Sequence, residues 1–263
     1  MSDPVLYDLS EGVGTVTLNR PDSMNSLDTA TKVALRDTLK AAADDRSVRC
    51  VVLTGNGRAF CAGQDLREHV DNLASKPLEE IWSTVPEHYS PICHTLATMP
   101  KPVVAGVNGI AAGAGASLAF ACDFRVLADT AGFNLAFASI GLSCDTGSSW
   151  TLPRLVGHAK AAELLLIPRT VKAEAALALG LATTVVPAES FVDELRSLAT
   201  ELAAGPTVAF AAIRRSLAYS PSHSLDESLA LEAEMMAQTG STEDHRDAVA
   251  AFMEKRRPMF HGR

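Results

Sequence analysis

Residues 140–150 read IGLSCDTGSSW, and Asp145 is the one carboxylate in a run of glycines, small polar residues and apolar side chains. An aspartate there has two readings. Followed by TGSSW, it can accept N–H bonds at the start of a helix, because Asp is a preferred N-cap. Kept from water by apolar neighbours, it can act as a general acid or base, since burial lifts a carboxylate pKa toward the working pH. The two roles coexist only in part, because capped N–H groups depress the pKa and weaken the base. Two glycine-containing turns, GNGRAFCAGQDL (55–66) and NGIAAGAGASLA (108–119), follow apolar runs. A helix opening on small residues presents unpaired backbone N–H groups and the positive end of its dipole to a phosphate or a developing oxyanion. Close backbone packing would call for the same glycines.

The second turn carries two further readings. GAGASL supplies two glycines of a dinucleotide fingerprint, but Leu118 stands in the third glycine's place and Asp129 comes early. GASLA approaches a nucleophile elbow around Ser117, with Asp145 and His158 downstream. Ala119 breaks that pattern, and the strand is too far from the serine for a sharp turn. The five cysteines form no CxxC pair and the seven histidines no HExxH or HxxH, so no metal site is expected.

The elements that must position these groups read as one large domain with an appendage. The 263 residues are 47% hydrophobic and 21% charged, ample for a core. A net charge of -8 argues against nucleic-acid or anionic-membrane partners, although the last ten residues, EKRRPMFHGR, are basic and suit a small polyanion or a solvated tail. Pro102 to Cys122 is uncharged and long enough to span a bilayer, but its four glycines and Asn108 favour a buried strand turning into a buried helix. With an odd cysteine count and no signal pattern in MSDPVLYDLS, the reading is a cytoplasmic protein with reduced thiols.

Strand signals at 13–20, 48–55, 101–109 and 124–129 alternate with helix signals at 25–43 (Ser26 or Asp28 as cap) and over ASLAFAC. That alternation predicts a layered α/β domain. Past TTVVP (183–187) helix signals follow one another, punctuated by Gly205-Pro206 and Ser220-Pro221. The expected division is a core over 1–204 and a helical region over 205–263.

The segments NRPDSMNSL (19–27), GRAFCAGQDL (57–66), KPVVAGVNGIAAGAGASLAFACDFRVLAD (101–129), IGLSCDTGSSWTLPRLVG (140–157) and VKAEAALALGLATTVVP (171–187) together resemble the crotonase, or enoyl-CoA hydratase/isomerase, superfamily. The resemblance spans roughly residues 5 to 257. It implies a spiral of ββα units with C-terminal helices that assemble homotrimers or dimers of trimers. It also implies acyl-CoA thioester substrates, coenzyme A arriving as part of the substrate, with no separate cofactor.

Carried over by position, the thioester enolate would rest on the N–H groups of Gln64, after Ala62-Gly63, and of Ala114, after Gly113. A preorganised donor of this kind is worth about 3 kcal/mol. Met24, Asn25, Ala62, Asp65 and Leu66 would help cradle the CoA-bound substrate, with Phe252 and Lys255 reaching the CoA, in many members from a neighbouring subunit. The two glutamates with which family hydratases activate water fall at Ser117 and Phe137, neither of which shuttles protons at neutral pH. Asp145 falls where the phenylacetate-pathway epoxide isomerases and related enoyl-CoA isomerases carry a catalytic aspartate. Dehalogenases of the family share that aspartate, but Ser90 and Phe137 depart from their pattern. The resemblance therefore implies an isomerase using Asp145 as acid and base, with Phe137 keeping the pocket dry. Hydration, or acyl-CoA binding without turnover, is the alternative. Trp82 and Trp150 are expected in the core rather than as substrate platforms, and His88 and His94 at the surface or in helix packing, from where either could face the pocket from the 78–99 helical region.

Overall fold

The computed structural model describes residues 3–263. It opens on a hairpin, β1 (Val5–Ser10) against β2 (Val13–Leu18), closed by a two-residue turn with Ser10 opposite Val13. Alternation on β2 buries Gly14, Val16 and Leu18. Met24 and Asn25 then take left-handed backbone (φ 51 and 55), so the first helix starts later than its apolar pattern suggests. It is α1 (Thr29–Asp44), and of the two expected caps it uses Asp28, whose side chain accepts from the Thr31 N–H.

Three strand–strand–helix steps follow. The first is β3 (Cys50–Gly55), β4 (Ala59–Cys61) and α2 (Leu66–Ser75), extended by α3 (Leu78–Trp82), a π-helical turn over Val85–Tyr89 and α4 (Ser90–Thr98). The second is β5 (Val103–Val107), β6 (Ile110–Ala112) and α5 (Ala114–Phe120). The third is β7 (Phe124–Ala128), β8 (Gly132–Asn134), α6 (Ser148–Val156) and α7 (His158–Leu166). β9 (Val171–Lys172), α8 (Ala173–Ala178) and β10 (Thr184–Val186) complete the core.

The first strand of each step enters a six-stranded sheet, ordered β1-β2-β3-β5-β7-β10, and the second a four-stranded sheet, ordered β4-β6-β8-β9. β3, β5 and β7 run parallel, as do β4, β6 and β8. This is the expected spiral. Every residue of β5 is buried, as in a parallel strand covered on both faces. The apolar stretch 102–122 is thereby spent on β5, β6 and α5. Among the described residues, no helix is long and apolar enough to cross a membrane. All five cysteines are free thiols.

α9 (Phe191–Ala203) lies over this sheet, with Leu195 filling the space that the missing side chain of Gly106 leaves. Past Gly205-Pro206 come α10 (Thr207–Tyr219), α11 (Leu225–Gly240) and α12 (Glu243–Glu254), with a small core of their own around Ala212, Leu231 and Met235. Arg214 ties α10 to the body. It pairs with Asp123 at 2.8 Å and donates to the carbonyls of Leu96 and Lys101.

Candidate active site

The two glycine turns meet. Gly63 has φ +86, and a Cβ there would stand 2.8 Å from the Ala112 carbonyl oxygen and 3.4 Å from the Ala114 nitrogen. A Cβ on Gly115 would stand 2.2 Å from the Cys61 carbonyl oxygen. Only glycine allows the second turn to sit this close to the first.

The segment after Gly63 pairs with Leu27: Leu27 N–H donates to the Gly63 carbonyl at 2.7 Å and Asp65 N–H to the Leu27 carbonyl at 3.1 Å. Gln64 lies between those bonds, and its own N–H has no acceptor among the described residues. Ala114 is the first residue of α5, so its N–H is likewise unpaired. Both residues line one cavity of about 590 Å³.

Asp145 lines the same cavity, with Phe137, Ile140 and Leu142 as apolar neighbours. Its side chain is not a helix cap. Gly147, at φ 77, holds the N-cap of α6, and no side chain accepts there. The carboxylate takes instead the Thr146 hydroxyl at 2.8 Å. Burial pushes its pKa above the usual carboxylate value, with the Thr146 hydroxyl and the Lys32 ammonium pulling part of the way back. The cavity's other carboxylates, Glu80 and Glu87, are exposed, and Glu80 is paired with Lys76. Ser117 is fully buried outside the cavity lining, hydrogen-bonded to the Ser148 hydroxyl and the Gly113 carbonyl, which removes the nucleophile-elbow reading.

Of the sequence-predicted site residues, Ala62, Gly63, Gln64, Leu66, Gly113, Ala114, Phe137 and Asp145 come together on the cavity. Met24, Asn25, Asp65, Phe252 and Lys255 do not line it. Met24 is partly exposed, and its carbonyl takes the Ala62 N–H at 3.0 Å. Asn25 is wholly buried: its amide donates to the carbonyls of Asn56 and Ala59 and accepts from the Arg20 N–H. Its side chain therefore braces the first turn, in a left-handed conformation that asparagine tolerates. Asn25→Ala should lower stability by about 2 kcal/mol, read as a fall in the denaturant midpoint, by orphaning those buried groups.

Asp65 caps α2 and binds Arg20 at 2.9 Å and the Ser26 hydroxyl at 3.1 Å. Burial alone would raise its pKa, but Arg20, the Glu68 N–H and Ser26 together hold it below the usual value. Arg20 is thus engaged in bracing the turn. Phe252, 83% exposed, and Lys255 stand at the end of α12.

The structure also corrects two packing expectations. Trp82, at the end of α3, lines the cavity and is part exposed, while Trp150 lies on the surface under the Arg154 guanidinium, 4.0 Å from its ring centroid. His88 faces the cavity and His94 does not. Lys32, Thr84 and Tyr89 are cavity residues that the motifs did not reveal. Lys32 is 2% exposed; its ammonium donates to Gln64 Oε1 at 3.2 Å and Thr84 Oγ1 at 2.8 Å, and the Tyr89 hydroxyl donates to the same Gln64 oxygen. The available signal was its place on the buried stripe of α1, in step with Leu35 and Leu39.

Comparison with known proteins shows the family. Residues 8–263 match the family described as enoyl-CoA hydratase/isomerase. The chain is 39% identical to 1,2-epoxyphenylacetyl-CoA isomerase of Escherichia coli over 264 residues, covering 100% of both chains. It is 34% identical to 2,3-dehydroadipyl-CoA hydratase of the same organism, over 94% of both. The crystal structure of an enoyl-CoA hydratase from Mycobacterium smegmatis superposes with a TM-score of 0.91 at 33% identity, covering 99% of this chain and 100% of that one. With its two-sheet spiral and its paired glycine turns, the chain belongs to the enoyl-CoA hydratase/isomerase family, the crotonase superfamily.

Proposed function

We propose that this enzyme isomerises an acyl-CoA thioester by moving a proton from one carbon of the acyl group to another. Asp145 takes the proton; the electron pair passes to the thioester oxygen, which accepts hydrogen bonds from the Gln64 and Ala114 N–H groups. Protonated Asp145 then returns the proton at a different carbon, and the double bond has shifted. A ring epoxide would rearrange on the same groups. No metal or redox cofactor enters these steps.

The observation that carries this reading is a half-buried carboxylate with a raised pKa, in one cavity with two unpaired backbone N–H groups. Both family glutamate positions hold non-titrating residues, Ser117 and Phe137, which disfavours water activation. The hydratase name of the adipyl relative keeps hydration as the competing reading. The assembly belongs to the same proposal: a homotrimer or dimer of trimers, in which a neighbour presents Phe252 and Lys255 to the CoA.

The test is a 3-enoyl-CoA in deuterated buffer, beside a 2-enoyl-CoA, followed by mass. The expected result is conjugated product with deuterium incorporated and no mass gain of one water from either ester. Hydration of the 2-enoyl ester as the faster reaction would overturn the isomerase reading. Tight binding of both esters with no turnover would leave a binding protein.

A further inference from the structure

Lys32 is buried where a hydrocarbon-binding pocket has no use for it. Burying an ammonium is expensive unless every N–H is met. Its three N–H groups have two acceptors, both neutral: Gln64 Oε1 and Thr84 Oγ1. Among the described residues, no carboxylate oxygen lies within the 4.0 Å of an ion pair with it. Asp28, Asp65, Glu68 and Asp145 act on it only from farther away, and the Tyr89 ring centroid lies 5.3 Å from Nζ. The Tyr89 ring meets part of the charge, but the third N–H has no hydrogen-bond acceptor among the described residues. Lys32 lines the cavity beside Gln64, whose backbone is one of the two oxyanion donors proposed above. Phe137, Ile140 and Leu142 give the same cavity an apolar lining.

We propose that Lys32 recognises an oxygen atom on the acyl part of the substrate and donates its third N–H to it. The substrate class is then an acyl-CoA with a largely apolar acyl group that carries one hydrogen-bond acceptor near the reacting carbons, rather than a plain alkenoyl ester. A plain hydrocarbon would strip water from that N–H and return nothing; a site built around a polar partner discriminates strongly against the analogue that lacks it. The acceptor is either neutral, such as an ether or epoxide oxygen, or a carboxylate. This inference rests on reading the cavity as an acyl-CoA site.

The test uses saturated esters that cannot isomerise, so it is independent of Asp145 chemistry. Dissociation constants are measured calorimetrically for two pairs: cyclohexylacetyl-CoA with its oxygen isostere tetrahydropyran-2-ylacetyl-CoA, and hexanoyl-CoA with adipyl-CoA. The wild-type protein should favour the oxygen-bearing member of one pair about ten- to a hundredfold, the range of a hydrogen bond to a charged group. Preference in the first pair identifies a neutral acceptor, and in the second a carboxylate. Lys32→Met, which carries no donor, should abolish the preference; should that variant melt early, the same ratio is read at a temperature where it stays folded. Equal affinities within both pairs, or a preference that survives loss of the ammonium, would overturn the proposal. Ester binding without preference sinks this inference alone. A preserved preference with no isomerisation sinks the isomerase reading alone, and no ester binding at all sinks both.

Discussion

Asp145→Asn should lower turnover of the isomerised ester by about 10²- to 10⁴-fold, the range of a lost general acid–base group, while acyl-CoA affinity changes little. Asparagine keeps the shape and the acceptor for the Thr146 hydroxyl but cannot carry the proton. The pH profile adds a signature. Asp145 must be ionised to act as base, and burial lifts its pKa above the usual carboxylate value. Activity should therefore fall as pH drops through that raised value, earlier on acidification than for a solvated aspartate.

Stability should move the other way. A carboxylate whose folded pKa exceeds its unfolded one contributes stability below the unfolded pKa and loses it as pH rises through the folded pKa. At neutral pH the ionised Asp145 is thus a burden on the fold. Asp145→Ala should leave the melting temperature unchanged or raise it. A helix cap would behave oppositely, since its loss costs about 1 kcal/mol. Wild-type turnover in Asp145→Asn, or a clear fall in melting temperature in Asp145→Ala, would return Asp145 to a structural role.

What the sequence could reveal follows from how each element is held. β3 and β5 are buried, largely apolar runs bounded by glycine or polar turns, and β7 is another interrupted by Arg125, so they are readable one at a time. β4, β6 and β8 have three residues each, too few to show a period, and they exist because they pair with one another. At the site, the carboxylate was visible but its role was not, because aspartate suits a cap and a base equally. The deciding feature is backbone: the left-handed Gly147 holds the N-cap, so the Asp145 side chain is left for the cavity. Lys32 escaped for another reason. An apolar stripe traced along α1 passes over a lysine, and burial of that lysine depends on Gln64 and Thr84, 32 and 52 residues away. The approach of the two glycine turns is also a long-range fact, legible here only through resemblance.

That approach can be tested one N–H at a time. Ala114→Pro removes the donor and little else. Ala114 is the first residue of α5, the position where a helix accepts proline most readily, because its N–H bonds to nothing within the helix. The preceding residue is glycine, at φ 51 and ψ -123, which relieves the usual restriction that proline places on its neighbour. The expected outcome is a loss of about 10²- to 10³-fold in kcat, the effect of deleting one oxyanion donor, with a much smaller change in KM. The asymmetry follows from the chemistry: the thioester oxygen gains full charge only as the proton leaves, so the bond is stronger in the transition state than in the bound ester. Ala114→Gly is the control, since it keeps the N–H, and its turnover should stay within about threefold of wild type, even if α5 loses up to about 1 kcal/mol. Equal kcat in Ala114→Pro and Ala114→Gly would mean that the enolate, if one forms, is held elsewhere. A large kcat loss confined to the proline variant would place the developing charge at the junction of the two turns, in the cavity that Asp145 lines.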